Sequence, residues 1–483
     1  MSTTDGRMDG RAWGVLLVLC GAIFLEGVDV AMLNVALPSI RADLDLSTGT
    51  LSGVVSAYVL GYGGFLLLGG RAADLLGRRR MFLLWLAVFC VFSGLGGLAT
   101  ESWMLLVARF VTGVAAAFMA PAGLALITGN FPEGPQRTKA LGVYAGTASG
   151  GFSLGLVAGG LLASLGWRWV FFAPVIMSAV ILAVAIPLVK DTESTSERPA
   201  GGFDLPGALT ITGAMLLLAY GVVRLEHPAQ GRAVTAGVLA AGLALLAAFA
   251  AIERRSSDPL VRLGVLRSGV LVRTNAAALL FLGAFGGFQF LVTLYLQELR
   301  GWSTLETGLA MLVIAIDIVL APTLTPRLVN RFGNARVLFG GLVLAAVAYA
   351  LFLPVGLEWT YAAMLPSLVL LGLAFTLAYG PLTMAAVEGV AEREHGLAVG
   401  LLYTATQFGI ALGLSAVTAV NVAALGTGNS PEAGLDAIRT ALLVPVAAAA
   451  LGAVIVAFGL GSRPAAGTAR SDTEQPTSAE LSA

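Results

Sequence analysis

Apolar residues along this chain do not alternate with polar ones. They continue in long runs broken by short polar loops, and fourteen such runs can be marked, at about 12–37, 50–70, 81–100, 103–129, 139–165, 169–189, 205–223, 233–252, 270–297, 304–326, 337–357, 360–387, 396–425 and 437–461. A helix rising ~1.5 Å per residue needs ~20 apolar residues to cross ~30 Å of hydrocarbon. The runs therefore predict an all-α polytopic membrane protein with 14 transmembrane helices. Periodicity within them adds little, because a helix packed among lipid and other helices is apolar all round.

The polar loops carry an internal repeat. Gly70-Arg71-Ala72-Ala73-Asp74-Leu75-Leu76-Gly77-Arg78-Arg79-Arg80 follows the second run, and a weaker copy, Pro326 to Arg336, recurs 256 positions later after the tenth. Runs 1–6 and 9–14 are then two parallel repeats, one of the recognised transporter plans, in which the substrate path lies at the repeat interface near the bilayer midplane. Runs 7 and 8 are left over as an inserted hairpin. The predicted organisation is 6 + 2 + 6: an N-terminal six-helix bundle over 1–190, a linker with two extra helices over 191–269, a C-terminal bundle over 270–461, and a disordered cytoplasmic tail over 462–483.

Composition narrows the class. The chain is 57% hydrophobic and 12% charged, with a mean hydropathy of +0.88, against ~25% charged residues in an average soluble domain. Its 28 basic and 28 acidic residues cancel, so bulk charge predicts no nucleic-acid partner. Their placement is informative: with alternate loops on opposite sides, 21 basic residues fall on one side and six on the other, and Arg109 lies inside a helix. The positive-inside rule then puts both termini and the basic loops in the cytoplasm, with the chain multi-pass in the cell membrane. Cys20 and Cys90 sit in apolar runs and imply no disulfide framework. His227 and His395 are isolated, so no metal site is expected. The two lysines, Lys139 and Lys190, are followed by Ala140 and Asp191 and fit no phosphate-binding loop, which excludes an ATP-driven pump.

Several segments together resemble the major facilitator superfamily and, within it, the fourteen-helix drug:proton antiporters. The Gly70–Arg80 loop is similar to the superfamily's G-x-L-a-D-r-x-G-r-r loop, with Ala72 and Leu75 departing from it. Asp29-Val30-Ala31-Met32-Leu33-Asn34-Val35-Ala36-Leu37-Pro38 resembles D-x-T-x-x-N-V-A-L-P, with Ala31 in place of Thr. Tyr295-Leu296-Gln297 through Gly301-Trp302-Ser303 to Gly308-Leu309 resembles the subfamily's Y-L-Q…G-Y-S…G-L junction. Arg109 to Gly113 resembles R-x-x-Q-G, with Thr112 where Gln is usual; the resemblance implies that Arg109 influences proton uptake. The fifth run resembles the antiporter motif at Gly142, Gly151, Gly155, Gly159 and Gly160, with Leu156 at the proline position. That departure leaves the direction of antiport open.

Acids inside the runs are the candidate chemistry. An Asp at a helix centre opposes insertion by about 2.5–3.5 kcal/mol, so such residues face a cavity or a partner and mark ion paths. Glu26 and Asp29 lie three apart on one helical face. At about 5.5 Å and an effective dielectric near 20, their repulsion if both were ionised is about 3 kcal/mol, which favours keeping a proton on the pair. Coupling to protons through Glu26, Asp29 and Arg109 stands beside the plainer reading of a structural ion pair. Asp317, deep in the tenth run, should face the cavity; the resemblance associates an acid here with recognition of cationic drugs in some members, which assigns it to substrate contact with Gln289, Asn34, Tyr379, Tyr403 and Gln407, while a second proton site remains the alternative for Asp317 and a bond within the bundle the alternative for each. Gly70, Asp74, Gly77, Arg78, Arg79 and Arg80 are assigned to a cytoplasmic gate that holds the halves together in one state, with topology alone as the alternative.

The function expected from these residues and this resemblance is proton-coupled export of small amphipathic compounds by alternating access. The cavity acids hint at cationic cargo. No cofactor is expected beyond the proton gradient, and the expected partners are protons, the substrate and the bilayer, with a monomer as working unit. Proton-coupled uptake of a metabolite is the alternative, and a membrane-embedded enzyme or receptor a more distant one.

Overall fold

The computed structural model describes residues 8–131, 135–190, 205–224, 231–256, 268–388, 395–426 and 430–460, with single positions 264, 390 and 428. The first part of the expected linker, 191–204, His227 and the tail fall outside these residues. Fifteen α-helices are described: α1 Gly10–Leu44, α2 Thr48–Leu76, α3 Arg78–Gly97, α4 Ser102–Asn130, α5 Pro135–Leu165, α6 Trp169–Leu188, α7 Leu205–Val223, α8 Arg232–Glu253, α9 Gly269–Leu294, α10 Thr304–Met311, α11 Asp317–Phe332, α12 Asn334–Phe352, α13 Tyr361–Val387, α14 His395–Leu425 and α15 Pro431–Leu460. No strand occurs among the described residues.

Among the described residues, twelve segments are long and apolar enough to cross a membrane. The expected fourteen is not reached by this measure, because α5 and α7 contain only shorter apolar stretches, at Gly150–Leu165 and Leu209–Leu218. The tenth run also differs from the continuous helix expected. A short 3₁₀ segment, Leu312–Ile316, divides it into α10 and α11, and Asp317 is the first residue of α11 rather than a mid-helix position.

The sequence repeat has a backbone counterpart. Shifted by 256 positions, α2 falls on 304–332, the span that α10 and α11 occupy together. Both copies open on a serine cap: Ser47 Oγ accepts from the Thr50 N–H at 3.1 Å, and Ser303 Oγ from the Glu306 N–H at 3.2 Å, each satisfying a donor the helix leaves orphaned. Both close on a glycine of positive φ, Gly77 at 101° and Gly333 at 86°, a conformation that costs a side-chain-bearing residue dearly.

Packing of the bundle depends on glycine seams, since lipid tails give helices no hydrophobic reason to associate and close backbone approach must supply the attraction. A Cβ added at Gly69 would strike the Ala117 carbonyl, and one at Gly113 the Tyr58 carbonyl, so α2 and α4 touch backbone to backbone. Gly151, Gly155 and Gly159 bring α5 to within 2.6–2.8 Å, measured from such a Cβ, of Phe24, Val28 and Met32 on α1. Gly283 with Gly409 and Gly413 does the same for α9 and α14. Helices α1–α6 pack mainly among themselves, as do α9–α15, while α7 and α8 pair with each other. The two sets meet where α2 lies against α14 and α5 against α10. Helix α7 touches both α2 and α14 along the first of these seams, with Thr212 Oγ1 donating to the Gly64 carbonyl at 3.0 Å.

Candidate functional site

Between the two sets of helices lies a cavity of ≈ 330 Å³, walled by α1, α2, α4 and α5 on one side and by α9, α11, α13, α14 and the 3₁₀ segment on the other. Glu26, Asn34, Arg109, Gln289, Asp317, Tyr379, Tyr403 and Gln407 all line it. Residues as far apart in sequence as Glu26 and Gln407 are thus brought to one space. Asp29 does not line it.

The helix-1 acids separate into different environments. Three residues turn an α-helix through about 300°, so Glu26 and Asp29 diverge by about 60°, enough to send one carboxylate to the cavity and the other into the packing against α4. Arg109 Nη1 donates to Asp29 Oδ2 at 2.6 Å, and both side chains are 2% exposed. The Arg109 guanidinium also lies 4.4 Å from the centroid of the Tyr58 ring, a cation–π contact set by the α2–α4 glycine seam. Thr112, at the position where the resemblance expected Gln, turns its hydroxyl back to the Arg109 carbonyl at 2.9 Å, and Arg109 Nε has no hydrogen-bond partner. Glu26 keeps only a long bond, accepted by Oε2 from the Tyr62 hydroxyl at 3.3 Å, and its Oε1 has no partner. Tyr58 and Tyr62, which line the cavity, were not singled out by sequence. Their spacing of four on the helix facing Arg109 was the available signal.

The opposite wall is aromatic. Phe285 and Phe375 lie 4.9 Å apart between centroids, and Phe375 stacks on Tyr379 at 5.1 Å with an interplanar angle of 16°. Asp317 opens α11 beside this wall. Gln289, 3% exposed, has no partner for its Nε2. An unmade bond at a buried amide costs about 1–3 kcal/mol. Tyr403 is 38% exposed, its open surface belonging to the cavity.

One end of the cavity is shut by contacts between the sets. Arg41 at the end of α1 binds both oxygens of Glu298, Gln297 Nε2 donates to the Val35 carbonyl at 2.9 Å, and Thr304 Oγ1 donates to the Gly160 carbonyl at 3.0 Å. Gly308 of α10 meets the Leu156 carbonyl of α5. Leu156, fully buried at the motif's proline position, therefore packs in this closure with its side chain on the cavity wall. Gly160 belongs to the same contact, with Leu305 Cα 2.8 Å from where its Cβ would stand. Gly142, nearer the start of α5, has open space around it, in contrast to Gly151, Gly155, Gly159 and Gly160.

The basic loop looks inward to its own set. Arg79 Nε donates to the Val189 carbonyl at 2.5 Å and Nη2 to Ile186 at 2.8 Å, capping the end of α6. Arg78 Nη1 reaches the Ala125 carbonyl of α4 at 3.3 Å. In this state these bonds tie the loop to α4 and α6 of its own set. Arg80 is exposed, Gly70 makes only an ordinary contact with Pro121, and the close approach falls to Gly69. The Asp74 side chain lies outside the described residues.

A bundle of this kind with a shared central cavity defines a class of membrane transporter, and the sequence comparisons agree. The chain belongs to the Major Facilitator Superfamily, whose pattern matches residues 19–414. With that, the readings as an enzyme or a receptor fall away. It is similar to the puromycin resistance protein of Streptomyces alboniger, 36% identical over 444 residues that cover 89% of this chain and 86% of that one. It is also similar to the cephamycin export protein of Amycolatopsis lactamdurans, 34% identical over 86% of each chain. Among solved structures, a POT family transporter in complex with a thioalcohol-conjugated peptide aligns over 93% of this chain and 96% of its own with a TM-score of 0.70 at 15% identity, a likeness of fold alone.

Proposed function

We propose that this protein exports small amphipathic, drug-like compounds across the cell membrane by proton-coupled alternating access, with both termini cytoplasmic and all fourteen runs crossing the bilayer. The observation that carries the reading is the cavity between the two sets of helices, holding Glu26, Asp317 and an aromatic wall in one space. Relatives named for resistance to, or export of, antibiotics support it. The alternation of basic loops holds only if α5 and α7 also cross. In that orientation the Arg41–Glu298 end faces outside, so the state is closed outward and poised toward the cytoplasm. The bodies that rock are α1–α6 and α9–α15, and the chain works as a monomer without a cofactor.

Roles follow from the geometry. Glu26 can take up a proton without breaking an ion pair, because its Oε1 has no partner; Asp29 can do so only by releasing Arg109. Glu26 is therefore the carboxyl that carries the exchanged proton, loaded from outside when the cavity opens outward and released to the cytoplasm in this state, and opening of the Asp29–Arg109 pair belongs to the outward-open state. Asp317, with Asn34, Gln289, Tyr379, Tyr403 and Gln407, contacts substrate, and the gate of Gly70, Asp74, Gly77 and Arg78–Arg80 acts through the positions of α4 and α6. The test is dye flux in inverted vesicles. An inward-acid gradient should drive accumulation that a protonophore abolishes. Outflow driven by the same gradient would instead establish the uptake symporter.

A further inference from the structure

Coupling to protons gives work to the buried polar groups of the N-terminal helices, but none to the amide of Gln289. It stands on α9, next in sequence to the buried Phe288 and Phe290, and lines the cavity with its Nε2 buried and without a partner. Four residues earlier on the same face is Phe285, a member of the aromatic wall. A residue four positions on is displaced about 6 Å along the helix axis. The α9–α14 glycine seam lies on the side of α9 away from Phe285 and Gln289 and fixes the rotation of the helix, since Gly283 presses against the Gly409 carbonyl and Gly287 against Val417 and the Gly413 carbonyl.

A buried N–H left without an acceptor is costly, and a substrate that brings one to it recovers that cost. Sites built to donate a hydrogen bond discriminate against analogues lacking the acceptor far more strongly than apolar pockets distinguish size.

We propose that Gln289 is a specificity-determining residue, whose amide N–H selects aromatic substrates bearing an uncharged acceptor, an ester, amide or ketone carbonyl, set one helical turn along α9 from the ring that packs on Phe285 and Phe375. This deepens the export reading and rests on it. The acceptor is read by α9, independently of whatever charge Glu26 or Asp317 meets.

Two xanthylium dyes separate the contributions: rhodamine 6G carries an ester carbonyl on a ring attached to the xanthylium, and pyronin Y has neither. Binding of each to the purified full chain is followed by fluorescence polarisation at constant pH. In Gln289→Met, of nearly the same shape but without the donor, rhodamine 6G should bind about tenfold more weakly while pyronin Y is unchanged, the tenfold corresponding to about 1.4 kcal/mol. Retained pyronin Y binding also reports an intact fold. If that variant aggregates, Gln289→Asn, which withdraws the donor by one methylene, should show the same selective loss. Equal weakening of both dyes, or rhodamine 6G binding unchanged, overturns the assignment and leaves the export reading intact. Wild-type protein that binds neither dye overturns both.

Discussion

Arg41 and Glu298 lie 257 positions apart, yet one guanidinium nitrogen of Arg41 sits 2.9 and 2.8 Å from the two oxygens of Glu298 and joins α1 to the turn after α9. Each side chain is 33% exposed, so the pair belongs to the range where ion pairs contribute about 0–1 kcal/mol. That is small for folding and large enough to bias two conformations of similar energy.

Removing the pair should therefore shift the balance of states, not unfold the protein. Arg41→Ala or Glu298→Ala is expected to move the populations toward the form open at this end by up to about fivefold. Distances between spin labels at the ends of α1 and α9 report the shift, and the exchanged pair Arg41→Glu with Glu298→Arg should reverse it. No change in the distance distribution would mean the pair is not a latch.

The Asp29–Arg109 pair calls for a different result. Both groups are buried, so leaving one without the other should cost about 3–5 kcal/mol. Asp29→Asn is expected to lower the thermal midpoint clearly, and the double variant Asp29→Asn with Arg109→Gln to recover much of it. If the single change is thermally silent, the pair does not hold α1 to α4.

Glu26→Gln should leave the fold almost untouched, because the only bond at stake is the 3.3 Å contact from Tyr62. Gradient-driven dye transport in vesicles should fall to background while equilibrium dye binding persists. Normal transport by this variant would remove Glu26 from the coupling role. It is a cleaner test than Asp29→Asn, which confounds coupling with stability.

The glycines of α5 should respond unequally. A methyl at Gly159 would stand 2.6 Å from the Met32 Cα, an atom that can yield only if α1 moves, so Gly159→Ala should destabilise by about 1–3 kcal/mol. Gly142→Ala meets open space and should be neutral or stabilise by up to about 1 kcal/mol through helix propensity. Thermal melts of the two variants in detergent check the contrast.

What the sequence determined by itself is the part of the physics that is local or set by the bilayer. Hydrocarbon thickness fixes the length of apolar runs, which is why the helices could be placed, and a repeated loop at a constant offset paired α2 with the α10–α11 span before any packing was known. The same reasoning marked Glu26, Asp29, Arg109 and Asp317, because a charged side chain in an apolar run has few tolerable surroundings. Only the tertiary structure decided how those groups divide. The 60° between Glu26 and Asp29 matters because α4 happens to present Arg109 to one of them and the cavity receives the other, and this depends on where the α2–α4 glycine seam stops. Likewise, Arg79 caps α6, Arg41 finds Glu298 across the interface, and Gln289 is left with an unmet donor through contacts among helices distant in sequence. No periodicity along one helix encodes them.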